Sequence, residues 1–148
     1  MPDSTNTTEA TLLEVRDITV EYVTQGQRFA AISDVSMDIA KGETLGLVGE
    51  SGCGKSTTGR AIIQLPTPTA GSVKFEGREL TELTHTDMRP IRKRLQIIFQ
   101  DPVSSLNPRR RVKDIVAEPL ITSGMTNKAE LDAKVREVLN AVGMDPDI

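Results

Sequence analysis

Residues 49–56, Gly49-Glu50-Ser51-Gly52-Cys53-Gly54-Lys55-Ser56, satisfy the pattern G-x-x-x-x-G-K-S/T at every defined position. Such a loop cradles phosphate groups with backbone N–H groups, and only glycines let it curl tightly enough to bring them close. Lys55 supplies a point charge toward the β- and γ-phosphates, Ser56 offers a hydroxyl to Mg²⁺, and the unpaired N–H groups at the start of a following helix add positive potential. The surrounding sequence fits. Residues 44–48, Thr-Leu-Gly-Leu-Val, form a short apolar run with the pattern of a parallel strand buried on both faces. Residues 55–65 read as a helix ended by Pro66 and Pro68. Strand, glycine loop and helix in that order place the chain in the α/β class.

The part before the loop has a different character. Residues 1–11 are rich in Ser, Thr and Asn and read as a loose leader. Leu13, Val15, Ile18, Val20 and Tyr22 alternate as one or two half-buried strands broken near Arg16-Asp17. Residues 24–28 form a polar turn, residues 29–33 and 35–39 read as short strands, and Lys41-Gly42-Glu43 as a turn. This portion is antiparallel β in character. After the loop, residues 72–75 read as a strand turned by Gly77, residues 87–94 as a helix with Pro90 in its first turn, and residues 95–99 as an apolar strand. Residues 112–118 read as a helix stopped by Pro119. A last helix is capped by Asn127 with Glu130 at capping-box spacing, repeats Leu131, Val135, Val138, Leu139 and Val142, and ends at Gly143.

Composition excludes several classes. Cys53 is the only cysteine of 148 residues, so no intramolecular disulfide exists, and no apolar run approaches the roughly 20 residues needed to cross a bilayer. Charge is uneven: residues 1–86 carry a net −5, residues 87–113 a net +6 and residues 114–148 a net −4. The central block, with Arg89, Arg92, Lys93, Arg94, Arg109, Arg110, Arg111 and Lys113, is either a solvated face or a surface for a membrane or an acidic partner. A pI near 5.2 and the scarcity of interleaved aromatics argue against nucleic acid. Cys53 reads as a small loop residue that supplies its N–H, because no histidine lies nearby to activate it, and His85, the only histidine, as a surface residue.

A phosphate loop by itself names neither base nor reaction. Val48 to Thr57, read as V-G-E-S-G-C-G-K-S-T, resembles the Walker A segment of ABC-type ATPases, and Ile97-Ile98-Phe99-Gln100-Asp101-Pro102 resembles their Q-loop. Residues 56–62, 99–109 and 115–120 are similar to the ATP-binding subunits of bacterial oligopeptide and dipeptide importers, with Ser105-Leu106-Asn107-Pro108 as the most branch-specific stretch. The resemblance implies a P-loop ATPase core with an N-terminal antiparallel β portion and the start of a helical subdomain, residues 12–148 forming part of a nucleotide-binding domain.

It implies ATP and Mg²⁺ as cofactors. Tyr22 would stack on adenine; Gly49, Ser51, Gly52, Cys53, Gly54, Lys55, Ser56 and Thr57 would surround the phosphates; Ser56 and Gln100 would reach the metal; Lys55 and Gln100 would serve catalysis. It further implies peptide import across the cytoplasmic membrane, with transmembrane permease subunits and a second ATPase subunit as partners, and a peripheral position on the cytoplasmic face of a bacterial membrane.

The Leu-Ser-Gly-Gly-Gln-type signature, the Walker B Asp, the catalytic Glu and the switch histidine of that family do not occur in these 148 residues. The expectation is therefore a portion truncated before the signature, and the alternative a nucleotide-binding fragment without turnover. Two other readings fit worse. A DNA-repair ATPase expects long insertions and a basic face, and a GTPase expects an Asn-Lys-x-Asp motif, of which Asn127-Lys128-Ala129-Glu130 is only a partial echo.

Overall fold

The computed structural model describes residues 11–101 and 105–147, so the expected leader, apart from Thr11, lies outside the described residues. Two long strands open the chain, β1 (Thr11–Thr24) and β2 (Gln27–Ala40), paired antiparallel. Their connection is the two-residue turn Gln25-Gly26, with φ of 52° and 79°, the left-handed pair that matches the twist of a hairpin. After helix α1 (Lys55–Ile62) come strands β3 (Ala70–Phe75) and β4 (Arg78–Glu79). The sheet order is β2-β1-β3-β4, and every pairing is antiparallel.

The breaks expected within the first two strands are bulges. Leu13 and Val15 bury their side chains, and so do Ile18 and Val20, although Ile18 stands three positions after Val15. Strict alternation would turn the second pair to the opposite face. The register shift between Val15 and Ile18, with Asp17 at φ 48°, absorbs the extra residue. Asp34 at φ 52° does the same on β2. Side chains then close both irregularities: Ser36 Oγ accepts from the Asp17 N–H and donates to Asp17 Oδ1, each at 2.8 Å, and Thr19 Oγ1 accepts from the Asp34 N–H at 3.2 Å. Two continuous strands result, where the sequence suggests three or four shorter ones.

The core lies between this sheet and two helices. Leu13, Val15, Ile18, Val20 and Ile32 from the hairpin meet Ala61 of α1, Val73, Phe75 and Leu80, and then Met88 and Ile91 of α2 (His85–Arg92). Helix α1 ends three residues earlier than its apolar pattern suggested. Gln64 turns left-handed at φ 61°, its N–H bonds to Ala61 O at 2.9 Å, and the Leu65 N–H reaches Arg60 O at 2.8 Å, which satisfies the last carbonyls. Helix α2 starts two residues before its expected position because Thr84 caps it, its hydroxyl accepting from the Asp87 N–H. Pro90 consequently sits at the sixth position and not in the first turn.

Two expected strands are not formed among the described residues. Residues 44–48 and 95–99 carry neither helix nor strand, and Leu45, Leu47, Val48, Ile98 and Phe99 are exposed. An apolar run becomes a strand only where another strand accepts its hydrogen bonds, and the four-stranded sheet leaves neither run beside it. The parallel pairing expected for residues 44–48 is thus absent from the described sheet.

The chain divides into two compact units, one ending at Ile97 and one beginning at Ile98. The second contains α3 (Val112–Thr122) and α4 (Lys128–Ala141), which pack on each other. Pro119 lies inside α3, which continues to Thr122 and does not stop there. Helix α4 follows its sequence reading closely: Asn127 Oδ1 accepts from the Ala129 and Glu130 N–H groups, Val135 and Leu139 are buried, and Gly143 ends it through its N–H to Asn140 O.

Candidate functional site

The glycine loop joins residues 44–48 to α1 and is built within the first unit. Gly54 is the N-cap of α1, at φ 97° and ψ 0°, and no side chain caps the helix. Thr58 is the residue that closes the first turn, giving both its N–H (2.8 Å) and its hydroxyl (3.0 Å) to Gly54 O. The N–H groups of Lys55, Ser56 and Thr57 therefore have no acceptor within the helix and make its start an anion-favoring end. No acidic residue lies in that first turn to oppose an anion.

Close packing holds the loop in place. A Cβ on Gly54 would come 2.5 Å from Ile32 Cγ2 and 3.0 Å from Ala31 O, so the glycine lets the helix start press on β2. A Cβ on Gly49 would come 2.7 Å from Cys53 Sγ, so the two ends of the loop nearly touch. The Cys53 N–H bonds to Glu50 O at 3.4 Å. Lys55 folds back over this curl: its Nζ donates to Gly49 O at 2.8 Å and Glu50 O at 2.5 Å, and lies 3.6 Å from Cys53 Sγ. Its ammonium is thereby stationed above the loop. Cys53 and Ser56 are exposed, so both can meet a ligand from solvent.

Tyr22 lies on β1 two residues past the buried Val20 and on the same face. Val20 is register partner to Ile32, the residue against Gly54, so one strand pair connects the tyrosine to the loop. Gln100 is exposed and belongs to the second unit, whereas Tyr22 and residues 49–57 all belong to the first. Sequence reasoning missed Thr58 and Ile32. A threonine one turn into a helix and an isoleucine in a strand carry no local signal of what they touch.

A cavity of about 400 Å³ adjoins the loop, its apolar side made by Met37, Ile39, Leu45, Leu47 and Ile62, with Lys55 and Ser56 also lining it. The donor set fits a nucleotide polyphosphate: backbone N–H groups at the helix start, one ammonium, and no acidic residue in the first helical turn. It fits Mg²⁺ in one way only, since among the described residues no cluster of three His, Cys, Asp or Glu could hold a metal by itself. Mg²⁺ commonly takes one or two protein oxygens and completes its shell with phosphate oxygens and water, and Ser56 can supply one. His85, as expected, is exposed, 3.3 Å from Arg92 Nη1 through its Nε2. Within the basic block, Arg94 pairs with Glu76 and stacks over Phe75, and Arg110 pairs with Glu118.

The loop and helix carry the phosphate-loop pattern, and comparison with known proteins gives the family. The ABC transporter family profile matches residues 32–147, and the chain belongs to that family. It is 42% identical over 146 residues to the oligopeptide transport ATP-binding protein AppF of Bacillus subtilis, an alignment covering 93% of this chain and 44% of AppF. It is 47% identical over 141 residues to the dipeptide transport ATP-binding protein DppF of Lactococcus lactis, covering 92% of this chain and 45% of DppF. The chain thus spans less than half the length of the curated relatives it matches. Among solved structures, the dimeric ATP-binding cassette MJ0796 in a post-hydrolysis state with ADP and Pi superposes with a TM-score of 0.73 at 25% identity, over 90% of this chain and 58% of that one. Among the described residues no helix is long and apolar enough to cross a membrane.

Proposed function

We propose that residues 12–148 are part of a nucleotide-binding domain that takes ATP with Mg²⁺, and that the whole protein hydrolyzes ATP to drive peptide import. The observation that carries this reading is the Lys55 ammonium held over a glycine curl, followed by a helix whose first three N–H groups have no acceptor within the helix and whose first turn has no acidic residue. In this reading Gly49, Ser51, Gly52, Cys53 and Gly54 supply the wall of the phosphate cradle, and Lys55 neutralizes the outer phosphates. Ser56 and Thr57 face the metal and phosphate side at the helix start. Gln100 reaches the metal and the attacking water, and Tyr22 stacks on adenine. When bound, Mg²⁺ would draw charge from the phosphates, and the chain's own groups orient them.

The names of AppF and DppF support oligopeptides or dipeptides as cargo. The dimeric state of MJ0796 supports a second ATPase subunit as partner. Permease subunits and a position at the cytoplasmic face of the membrane follow from the same reading.

The test is equilibrium binding of MgATP to the chain and to its Lys55→Ala variant. The expected result is saturable binding that weakens at least about tenfold in the variant, the cost of losing one charge-assisted contact. Equal affinity in both, or no binding to either, would overturn the reading. For the transport part, cells carrying Lys55→Ala in the whole protein should lose uptake of a labeled oligopeptide.

A further inference from the structure

The chain has only four aromatic residues, three Phe and one Tyr. Two of them, Tyr22 and Phe29, face each other across the β1–β2 hairpin in direct register. Their ring centroids lie 5.9 Å apart at an interplanar angle of 38°. Tyr22 is 40% and Phe29 51% exposed, so this pair does not fill the core. Two exposed large rings in contact at a hairpin end form an apolar patch open to a ligand.

We propose that Phe29 is a positioning residue for the nucleotide base, bracing the Tyr22 ring so that Tyr22 presents one fixed face for stacking; this rests on the ATP reading above. Three observations support it. The two-residue Gln25-Gly26 turn locks the register, so Phe29 always stands opposite Tyr22. The tilted geometry at this separation is one that aromatic pairs favor. Both residues lie on the two strands that meet the phosphate loop, through Ile32 against Gly54 and through Val20 opposite Ile32.

Separation decides between a brace and a sandwich. A base held between two parallel rings needs about 7 Å, twice the carbon contact distance of about 3.5 Å. The rings are closer than that and tilted, so the base stacks on the outer face of Tyr22, and Phe29 acts on the inner side.

The chain itself supplies the probe. It has no tryptophan and a single tyrosine, so tyrosine emission reports on Tyr22 alone. Binding and emission are measured with MgATP and with inorganic tripolyphosphate, which has no base. MgATP should quench Tyr22, and tripolyphosphate should not. Tyr22→Ala should weaken ATP roughly 5- to 100-fold, the range for losing one stacked base. Phe29→Leu should weaken ATP by about 2- to 10-fold, reduce the quench, and leave tripolyphosphate affinity unchanged. Phe29→Tyr should restore ATP affinity, and Phe29→Leu should add nothing in a Tyr22→Ala background.

If Tyr22→Ala weakens ATP while Phe29→Leu changes neither affinity nor quench, Tyr22 stacks unaided and the proposal is overturned with the ATP reading intact. An equal loss for ATP and tripolyphosphate in Phe29→Leu would make Phe29 a structural residue only, and also overturns it. If the unaltered chain binds neither compound, the ATP reading fails and the proposal falls with it.

Discussion

The position of a Cβ on Gly54 lies 2.5 Å from Ile32 Cγ2, so the residue that starts α1 and the buried residue of β2 are separated by less than a side-chain atom allows. Phosphate-loop geometry and sheet core are thereby one packing problem. Ile32 is itself buried opposite Val20, so it cannot retreat without disturbing the hairpin.

Gly54→Ala should therefore damage stability and binding together. The new methyl group meets Ile32, and φ of 97° is strained for any side chain. A loss of about 2–4 kcal/mol is expected from combined overpacking and strain. Adding Ile32→Val should recover little of it, since valine keeps the branch methyl that the new Cβ meets and the backbone strain remains. Denaturant unfolding of the single and double variants checks this; a neutral Gly54→Ala would refute the contact.

Alkylation of Cys53 should block nucleotide binding by bulk. Its sulfur is exposed, sits 3.6 Å from Lys55 Nζ, and lies against the site a Gly49 Cβ would occupy. No other thiol competes for the reagent. Bound MgATP should slow modification, and full modification should abolish ATP affinity while the unfolding midpoint stays within experimental scatter. Unchanged ATP affinity after complete labeling would count against Cys53 lying on the phosphate side.

The loop was legible in sequence because its chemistry fixes spacing: glycines, lysine and serine must stand at set intervals whatever surrounds them. The antiparallel hairpin was legible from period two, but the offsets between Val15 and Ile18 and between Ile32 and Val35 read as chain breaks. A one-residue slip looks the same whether a strand ends or bulges, and only the partner strand distinguishes them. Residues 44–48 and 95–99 were misread for a related reason. Apolar composition reports a preference for burial, whereas a strand also needs a partner elsewhere in the chain. Sequence places Pro90 in a first turn and Pro119 at a helix end, yet each sits further inside its helix, whose neighboring turns tolerate one missing N–H. The contact of Gly54 with Ile32 spans 22 positions and leaves no local trace.

The exposed apolar strip before the loop should govern the solution behavior of the 148-residue chain. Leu45 and Leu47 are nearly half exposed, and Val48 is 90% exposed, none of them in a ladder. Unpaired apolar backbone of this kind recruits copies of itself. The chain is expected to associate at rising concentration, and Val48→Lys to suppress that without changing its unfolding midpoint by more than about 0.5 kcal/mol equivalent. Light scattering over a concentration series reads the outcome, and a monodisperse unaltered chain would sink the idea.

Glu79 gives the first unit an acid-sensitive joint. Burial pushes its carboxyl up, but hydrogen bonds from the Ser72 and Thr81 hydroxyls and from the Thr81 and Val73 N–H groups outweigh this and hold it down to about 2. The same carboxylate accepts from the Leu80 N–H at 3.1 Å, so one side chain ties β3 to the chain after β4, beside the fully buried Val73 and Leu80. A folded value below the ordinary 4.5 means that the folded state prefers the charged form. The stabilization is complete above about pH 4.5 and is lost as pH falls toward 2. Glu79→Gln should cost on the order of 2 kcal/mol at neutral pH, since an amide accepts more weakly and brings donors to a cluster of donors. It should also flatten the pH dependence of stability over that acid window. Urea unfolding of both proteins between pH 2.5 and 7 (values chosen about the shift) decides it: parallel curves would show that Glu79 is not the titrating joint.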